Sequence, residues 1–439
     1  MKNNSTKQSF GWSCGASLFL LFTFYFLHLP ATAQETLRLS LDEAQQYAVE
    51  HNATMQNANL DMRKAELARW KALSSMMPQI KAGFDYQNMC GYEMRMSGFS
   101  IPMNPTGTFS VTASVALTGA QIVGVMLQDI SNQMTDITRQ QTEQTTRSNV
   151  KNIYVSILVM EQTVGLLDSS LANMERLAAT SQASVNVGAA EQVDADKLQI
   201  QVATLRSTIS STRRSLQALR NSLLLQLGAD VNAQLELTTP VEQVMSVDAA
   251  TQLLAQGFDI TKNYNYQLLE QSEEIAKKNV TMAWMNFSPT LSAYYQYSKK
   301  HYFGDEGMNM TPPNMIGASL SIPLLTSGGN TMAIKSAKID LQEAVNSRQQ
   351  AEDGLRVQYN QLCFDLASAL ETYEIQSNNI DVTQRVFNNI TEKYRYGRAS
   401  SLEVTNASTD IITAQSNYIQ AVMNVVSAQI ALENLLNEK

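Results

Sequence analysis

The chain has 439 residues with a formal net charge of −8, and only 16% of its residues are charged and 7% aromatic. This acidic balance argues against nucleic acid as a partner, because binding phosphate requires a basic surface. Three cysteines are too few for a disulfide scaffold, so Cys90 and Cys363 are expected to be free or buried thiols.

Residues 1–33 have the pattern of a signal peptide. Two lysines form a basic start, residues 16–29 form an apolar run, and residues 31–33 give the small-x-small sequence of a signal peptidase site. We therefore predict cleavage before Gln34, which removes two lysines and no acids and takes the formal net charge from −8 to −10. A membrane anchor is the alternative, but the run is shorter than the ~20 apolar residues of a spanning helix. A lipid anchor is not predicted, because Cys14 precedes the apolar run.

Four landmarks recur in the same order in the two halves of the chain, at offsets of 206, 211, 209 and 213 residues. The pairs are Ser40 with Ser246, Pro78 with Pro289, Gly188 with Gly397, and Ala218 with Ala431. Such an ordered series predicts a duplication with small insertions. The chain is accordingly divided into a first repeat, residues 34–245, and a second repeat, residues 246–439.

Each repeat is predicted to contain a helix, two strands, and two long helices joined by a hinge. The first repeat has a helix at 41–77, strands at about 79–88 and 108–118, and long helices at about 120–185 and 190–227. The second repeat has a helix at 247–286, strands at about 290–299 and 314–323, and long helices at about 328–394 and 401–437. A serine N-cap opens the first helix of each repeat, and Glu43 completes a capping box in the first.

The spacing of apolar residues along the sequence distinguishes the strands from the long helices. After Pro78, Ile80, Ala82 and Phe84 alternate with polar residues, as in a strand with one apolar face. The long helices instead repeat apolar residues at steps of three and four, which predicts seams for packing helix on helix. The first long helix has no proline over about 60 residues, enough to reach ~90 Å at 1.5 Å per residue.

The strand pairs favour an outer-membrane barrel, in which lipid-facing and lumen-facing residues alternate. No segment after residue 33 is predicted to be a membrane helix, and a small periplasmic sheet capping a coiled coil is the alternative. Four strands cannot close a barrel, and open edges in lipid leave backbone groups unpaired. The chain must therefore oligomerise, as two copies with eight strands or three copies with twelve and room for a channel.

Several motifs in this order resemble the outer membrane efflux protein family, the TolC-like outer membrane channels, over nearly all of the mature sequence. They are LRLSLDEAQQYAVEHNATMQ, MPQIKAGFDYQ, SPTLSAYYQY, SLSIPLLTSGGN and the two hinges with their trailing acids. The resemblance implies a mainly α protein with a small β part. It further implies a homotrimer with a 12-stranded transmembrane β-barrel, continued by a long periplasmic α-helical barrel of coiled-coil hairpins. It also implies docking to a periplasmic adaptor and an inner-membrane transporter.

The resemblance further implies that the hinges at Gly188 and Gly397 are the periplasmic tips where the tunnel narrows. Glycine suits such turns because it adopts the left-handed conformation that ends helices. Small residues at the tips would let an adaptor hairpin approach closely. The predicted docking residues are Gly188, Ala189, Ala190, Gly397, Arg398, Ala399 and Ser400.

Acids after the hinges predict a charged aperture, since a ring of carboxylates in a symmetric assembly favours cations. Family members often place acids six and nine residues after the second glycine, where this chain has Glu403 and Asn406. The first hinge has Asp194 and Lys197 at these spacings, and Asp196 lies between them. One acidic ring from Glu403 is therefore predicted, with Asp194 nearby. The alternative is that these acids only stabilise helix N-termini.

Other functions have less support in the residues. The mature chain has two histidines, His51 and His301, without a neighbouring ligand at metal spacing, and no phosphate loop or nucleophile elbow is present. We therefore predict no enzyme activity, no cofactor and no metal. A periplasmic coiled-coil adaptor would lack the repeated strand pairs, and a diffusion porin would need more strands per chain. The sequence does not identify the transported substrate.

Overall fold

The computed structural model describes residues 36–96, 98–240, 243, 246–304 and 312–437, and the predicted signal peptide lies outside them. The described chain is mostly helical with a small sheet part. The elements of the first half are β1 (Thr36–Leu39), α1 (Leu41–His51), α2 (Ala53–Ser74), β2 (Gln79–Gln87), β3 (Glu93–Met96), β4 (Phe99–Pro102), β5 (Thr106–Leu117), α3 (Gly119–Asn186), α4 (Gln192–Leu227) and β6 (Gln234–Leu237). Those of the second half are α5 (Val247–Leu254), a 3-10 turn (Ile260–Lys262), α6 (Tyr264–Met285), β7 (Thr290–Tyr302), β8 (Asn314–Ser321), α7 (Gly329–Arg395) and α8 (Ser401–Leu436).

The principal sheet has four antiparallel strands in the order β2-β5-β7-β8. The two strands of each half pair with each other, and β5 joins β7 in the middle, from Thr106 opposite Tyr302 to Leu117 opposite Leu291. Within the described residues, β2 and β8 have no strand on their outer sides. The sheet of one chain therefore has two open edges, one from each half.

The two faces of this sheet differ in polarity. One face carries exposed apolar side chains, namely Ile80, Phe84, Phe109, Tyr295, Ile316 and Leu320. The opposite face carries mainly short or polar side chains, among them Lys81, Ser110, Thr112, Gln296 and Ser319. Because Ile316 is 84% exposed, no other layer of the described residues covers the apolar face around it. The predicted alternation of apolar and polar residues along the strands is thus confirmed.

The helices that precede the strands are each interrupted, contrary to the prediction. The helix predicted over 41–77 is α1 and α2, separated at Asn52, whose backbone is extended (φ −62°, ψ 131°). The Asn52 side chain accepts hydrogen bonds from the amides of Thr54 and Met55, so it starts α2 where α1 ends. The helix predicted over 247–286 is likewise α5, the 3-10 turn and α6, with Asn263 as the cap of α6. The capping box predicted at Glu43 is present.

Both asparagines also tie these helices to the ends of the long returning helices. The Asn52 Nδ2 atom donates to the carbonyl oxygen of Gln226 at 2.7 Å, and that of Asn263 donates to Leu435 at 3.0 Å. Both asparagines are buried. Next to the first contact, Gly228 has φ +75°, and a Cβ atom there would lie 2.4 Å from the carbonyl oxygen of His51.

The four long helices form two antiparallel hairpins, α3 with α4 and α7 with α8. Helix α3 has 68 residues and α7 has 67, so each reaches roughly 100 Å at 1.5 Å per residue. Three ion pairs at seven-residue intervals bridge the first hairpin: Arg206–Glu175, Arg213–Asp168 and Arg220–Glu161. This interval is the heptad period, so the pairs mark one continuous register between α3 and α4.

The seams predicted from apolar spacing form the core of the helical part. On α3 the buried members include Val150, Ile157, Leu167 and Met174, which confirms the first seam. On α8 they include Ala407, Ile411, Ala421, Val425 and Leu432, which confirms the last. Helix α7 differs, because it leaves Val357, Phe364, Ile375 and Val382 exposed. An apolar stripe on α7 is therefore uncovered in the single chain.

Two small sheets were not predicted. Strands β3 and β4 form an antiparallel hairpin within the loop between β2 and β5. Strands β1 and β6 pair in parallel and are bridged by Arg38 and Glu236 at 2.8 Å. The buried Tyr154 hydroxyl fixes this pair to α3, donating to the carbonyl of Leu39 and accepting from the amide of Thr239.

Two described helices, α3 and α8, are long and apolar enough by composition to cross a membrane. The expectation that no segment after residue 33 has this character is therefore wrong on composition alone. In their most apolar windows, 39% of the α3 residues and 50% of the α8 residues are buried inside the structure. Their apolar faces pack in the helical core described above.

Candidate functional site

The first hairpin tip ends α3 at a left-handed glycine. Gly188 has φ +76°, and the amide of Ala189 donates to the carbonyl of Ser184, five residues earlier. This is the six-to-one hydrogen bond of a Schellman motif, which satisfies carbonyls at the end of a helix. Helix α4 then begins after the N-cap residue Glu191, so the chain reverses within five residues.

The second tip repeats this geometry. Gly397 has φ +66°, and the amide of Arg398 donates to the carbonyl of Lys393 at 2.8 Å. Helix α8 begins after the N-cap Ser400, again three residues beyond the glycine. A Cβ atom at either glycine would meet no other group within 4 Å. The positive φ angle, not crowding, therefore explains glycine at these two positions.

Asp194 and Glu403 occupy the same position, the third residue of α4 and of α8. The Glu403 carboxylate accepts from the Ser400 amide at 2.7 Å and from the Ser400 hydroxyl at 2.9 Å, which completes a capping box. These two hydrogen bonds, the backbone one foremost, hold the pKa of Glu403 below its ordinary value. The carboxylate is fully exposed and ionised at neutral pH.

Asp194 makes a different contact, because its own N-cap residue Glu191 gives no side-chain hydrogen bond. Its carboxylate instead accepts a hydrogen bond from the buried hydroxyl of Ser401 in the other hairpin. Seven residues further along both helices, Gln201 donates to Ser408 at 3.4 Å. The two tips are therefore joined side by side through α4 and α8.

The remaining predicted aperture residues lie on the exposed faces of the same two helices. Asp196 accepts a hydrogen bond from Gln192 at 2.8 Å, one turn earlier on α4. Lys197 and Asn406 are exposed. Within one chain, the structure brings Asp194 together with Ser401 but does not pair Asp194 with Glu403. Glu403 makes the N-terminal helix contact that the alternative interpretation predicted, whereas Asp194 lies in the first turn of α4 but bonds to Ser401 of the other hairpin.

Four exposed apolar side chains at the tips were missed by the sequence analysis. Val187 and Tyr396 precede the two glycines and are 79% and 75% exposed. Val193 and Leu402 follow the glycines by five residues, and each is more than half exposed. Their equal spacing from the glycines is visible in the sequence and could have identified them. Among the predicted docking residues, Ala189 and Arg398 are exposed and Ala190 and Ala399 are half-buried.

The residues at the tips are suited to contacts with another protein and to electrostatic effects more than to catalysis or metal binding. Among the described residues, no group of three or more His, Cys, Asp or Glu side chains could hold a metal ion. His51 is the last residue of α1, where its Nδ1 atom donates a hydrogen bond to the carbonyl oxygen of Tyr47 at 3.0 Å, and His301 lies at the loop end of β7. Neither histidine is near the tips.

Comparison with known proteins gives a consistent result. Residues 263–438 match the family described as outer membrane efflux protein. The outer membrane efflux protein BepC of Brucella suis is 21% identical over 66% of this chain and 63% of its own length, so less than two thirds of that relative is spanned. Outer membrane protein TolC of Salmonella enteritidis is 23% identical over 92% of this chain and 81% of its own length.

Solved structures show the same fold over most of the chain. The outer membrane protein VceC of Vibrio cholerae superposes with a TM-score of 0.72, covering 90% of this chain and 95% of its own, at 15% identity. The chain is thus similar to the outer membrane efflux proteins over residues 263–438, and it has the fold of these outer membrane proteins over most of its length. It is a protein of the bacterial outer membrane, and its structural neighbours include the outer membrane channel OprN and the outer membrane channel CmeC of Campylobacter jejuni.

Proposed function

We propose that the chain is the outer membrane channel subunit of a tripartite efflux or type I secretion system. In this proposal it is a passive conduit that carries small molecules or proteins from an inner-membrane transporter and periplasmic adaptor to the exterior. It consists of the two repeats predicted above, residues 34–245 and 246–439.

The observation that carries the proposal is a four-stranded sheet with two open edges and an exposed apolar face. In lipid, each unpaired backbone group on an open edge costs several kcal/mol. A closed ring in which β8 of one copy pairs with β2 of the next removes every edge. Three copies supply twelve strands, enough to enclose a channel, with the apolar face towards lipid and the polar face towards the lumen.

The exposed stripe on α7 supports the same homotrimer. Val357, Phe364, Ile375 and Val382 are each about half exposed or more and lie on one side of the helix. Large apolar side chains aligned on one exposed side of a helix favour burial against a neighbouring subunit. Neighbouring hairpins would cover it by forming a closed helical barrel beneath the strands.

Fractionation and electrophoresis test this proposal. The expected result is a protein that enters the outer membrane fraction, migrates as a trimer until heated, and conducts ions when inserted in a planar bilayer. Phe364→Glu should abolish the trimer by burying a charge in the interface. Gln358→Glu is the matched control, because this substitution adds the same charge at an exposed position six residues earlier on the same helix. A monomer in the soluble periplasmic fraction would overturn the proposal in favour of a coiled-coil adaptor.

The tips are proposed to form the periplasmic aperture and the adaptor-docking surface. Three copies of Glu403, with Asp194 nearby, would give the aperture its negative charge. The glycine turns and small residues, together with the exposed Val187 and Tyr396, would contact the adaptor. Crosslinking in cells followed by purification of the channel would identify the adaptor and the transporter that accompany it.

A further inference from the structure

Tyr294 is a large aromatic residue on the polar face of the sheet. Its cross-strand neighbours on this face are Ser114 on β5 and Gly317 on β8. One step nearer the helices, the hydroxyls of Ser292 and Ser319 are hydrogen bonded at 2.7 Å. Small groups thus surround Tyr294, a residue that is 39% exposed.

The Tyr294 ring lies along the strand β8 directly over Gly317. A Cβ atom at Gly317 would be 2.6 Å from Cε1 and 2.7 Å from Cζ of the ring. The Tyr294 hydroxyl donates to the sulfur of Met315 at 3.8 Å, two residues along the same strand. Because Gly317 has no side chain, the ring can lie flat against the sheet. The hydrogen bond to Met315 holds it in this position.

We propose that Tyr294 and Gly317 together set the width of the conduit near the helix end of the barrel. The inference rests on the proposed function, because it takes the polar face of the sheet as the lumenal wall. In a trimer, three Tyr294 rings would line the wall at one level, each lying in the space left by a glycine. This pair determines the size of solute that passes the level of Tyr294.

The direction of the effect follows from the geometry. A methyl group on Gly317 cannot share space with the ring, and the paired backbone of β7 and β8 resists movement. The ring must then rotate about its side-chain bonds away from β8, and the open side is the lumen. Removing the ring from Tyr294 should have the opposite effect and widen the conduit.

Thiol labelling from outside the cell tests this inference without involving the distant helix tips. Ser292→Cys, in a background with Cys90→Ser and Cys363→Ser, places a thiol on the polar face beyond the level of Tyr294 as approached from the loops. Small and bulky membrane-impermeant thiol reagents are then added to intact cells. Gly317→Ala should slow labelling by the bulky reagent and leave the rate with the small one unchanged, and Tyr294→Ser should speed labelling by the bulky reagent.

Gly83→Ala is the matched control, because it adds a methyl group to the same face where the nearest atom, Ser110 Oγ, is at an ordinary 3.5 Å. Equal labelling in Gly317→Ala and Gly83→Ala would overturn the inference but leave the channel proposal intact. If neither reagent reaches the thiol in any variant, the polar face is not lumenal and both proposals fail. If Gly317→Ala still slows labelling when Tyr294 is Ser, the ring is not the obstacle and the inference is wrong.

Discussion

The Asn52 side chain donates a hydrogen bond to the main-chain oxygen of Gln226 at 2.7 Å while its own oxygen caps helix α2. One buried side-chain amide therefore joins the start of α2 to the last turn of α4. Asn52→Ala removes both contacts and leaves buried backbone groups unpaired, which costs about 1–3 kcal/mol locally. Hydrogen exchange should become faster in the first turn of α2. Asn57→Ala, an exposed site one turn later, should leave exchange unchanged, and an equal effect of the two variants would contradict this role.

Gly228 lies at the same junction, directly after α4 and against the backbone of His51. Gly228→Ala combines a positive φ angle with a Cβ atom 2.4 Å from the His51 carbonyl, so it should destabilise the fold by more than about 1 kcal/mol. Gly165→Ala is the control, because Gly165 lies inside α3 with no group near its added methyl, and alanine is the better helix former there. The trimer melting temperature should fall for the first variant and hold or rise for the second. An unchanged melting temperature for the Gly228→Ala trimer would contradict this prediction, because the junction would then accommodate the added methyl group.

The proposed acidic aperture can be tested without disturbing the helix start. Glu403→Gln removes the charge but retains a side chain that can complete the capping box with Ser400. Bilayer currents should then show reduced cation selectivity and weaker block by divalent cations. Asp410→Asn removes one exposed charge further along α8 and serves as the control. Unchanged selectivity in Glu403→Gln would leave Glu403 as a helix cap alone.

The pH dependence of this selectivity follows from the lowered pKa of Glu403. A lowered folded-state pKa means that the capping box stabilises α8 fully above the ordinary glutamate pKa and loses this effect as pH falls through the folded value. Selectivity should therefore persist at pH 5 and decline only below the ordinary value of 4.5. Ser400→Ala removes the hydroxyl bond and should move the midpoint to higher pH. A midpoint near neutrality in the unaltered channel would contradict this assignment.

Docking at the tips predicts a separation between assembly and export. Ala399 is half-buried and lies between the Gly397 turn and the start of α8, so Ala399→Trp places a bulky ring at this tip. We expect a folded trimer in the outer membrane that no longer supports export. Ala399→Ser preserves the small size and should retain export. Full export by the tryptophan variant would count against close approach of an adaptor at this tip.

The sequence predicted the elements whose signals are local and periodic. Alternation identified the four long strands, heptad spacing identified the seams of α3 and α8, and Ser40 with Glu43 identified a capping box. The interruption at Asn52 was missed because no glycine or proline marks it, and the one before Asn263 was missed although Gly257 lies within it. Their cause is a tertiary contact with Gln226 and Leu435, which lie 174 and 172 residues away.

Some features of the hairpin tips could likewise be predicted, because they depend on local sequence. The left-handed turns at Gly188 and Gly397 follow from residue type, and the positions of Asp194 and Glu403 follow from their spacing. The bond between Asp194 and Ser401 could not be read from the sequence, because it depends on how two hairpins lie beside each other. The β3–β4 hairpin was also missed, since two strands of four residues leave little periodicity.

The order of strands in the sheet has a consequence for inhibition. Because β5 and β7 are already paired inside one chain, every seam between copies would consist of a β8 edge from one copy and a β2 edge from another. A peptide with the sequence Asn314–Ser321 would present the same edge as β8 to a newly exported subunit. It would occupy a seam only before the ring closes, so it would act on channels being built and spare those already complete.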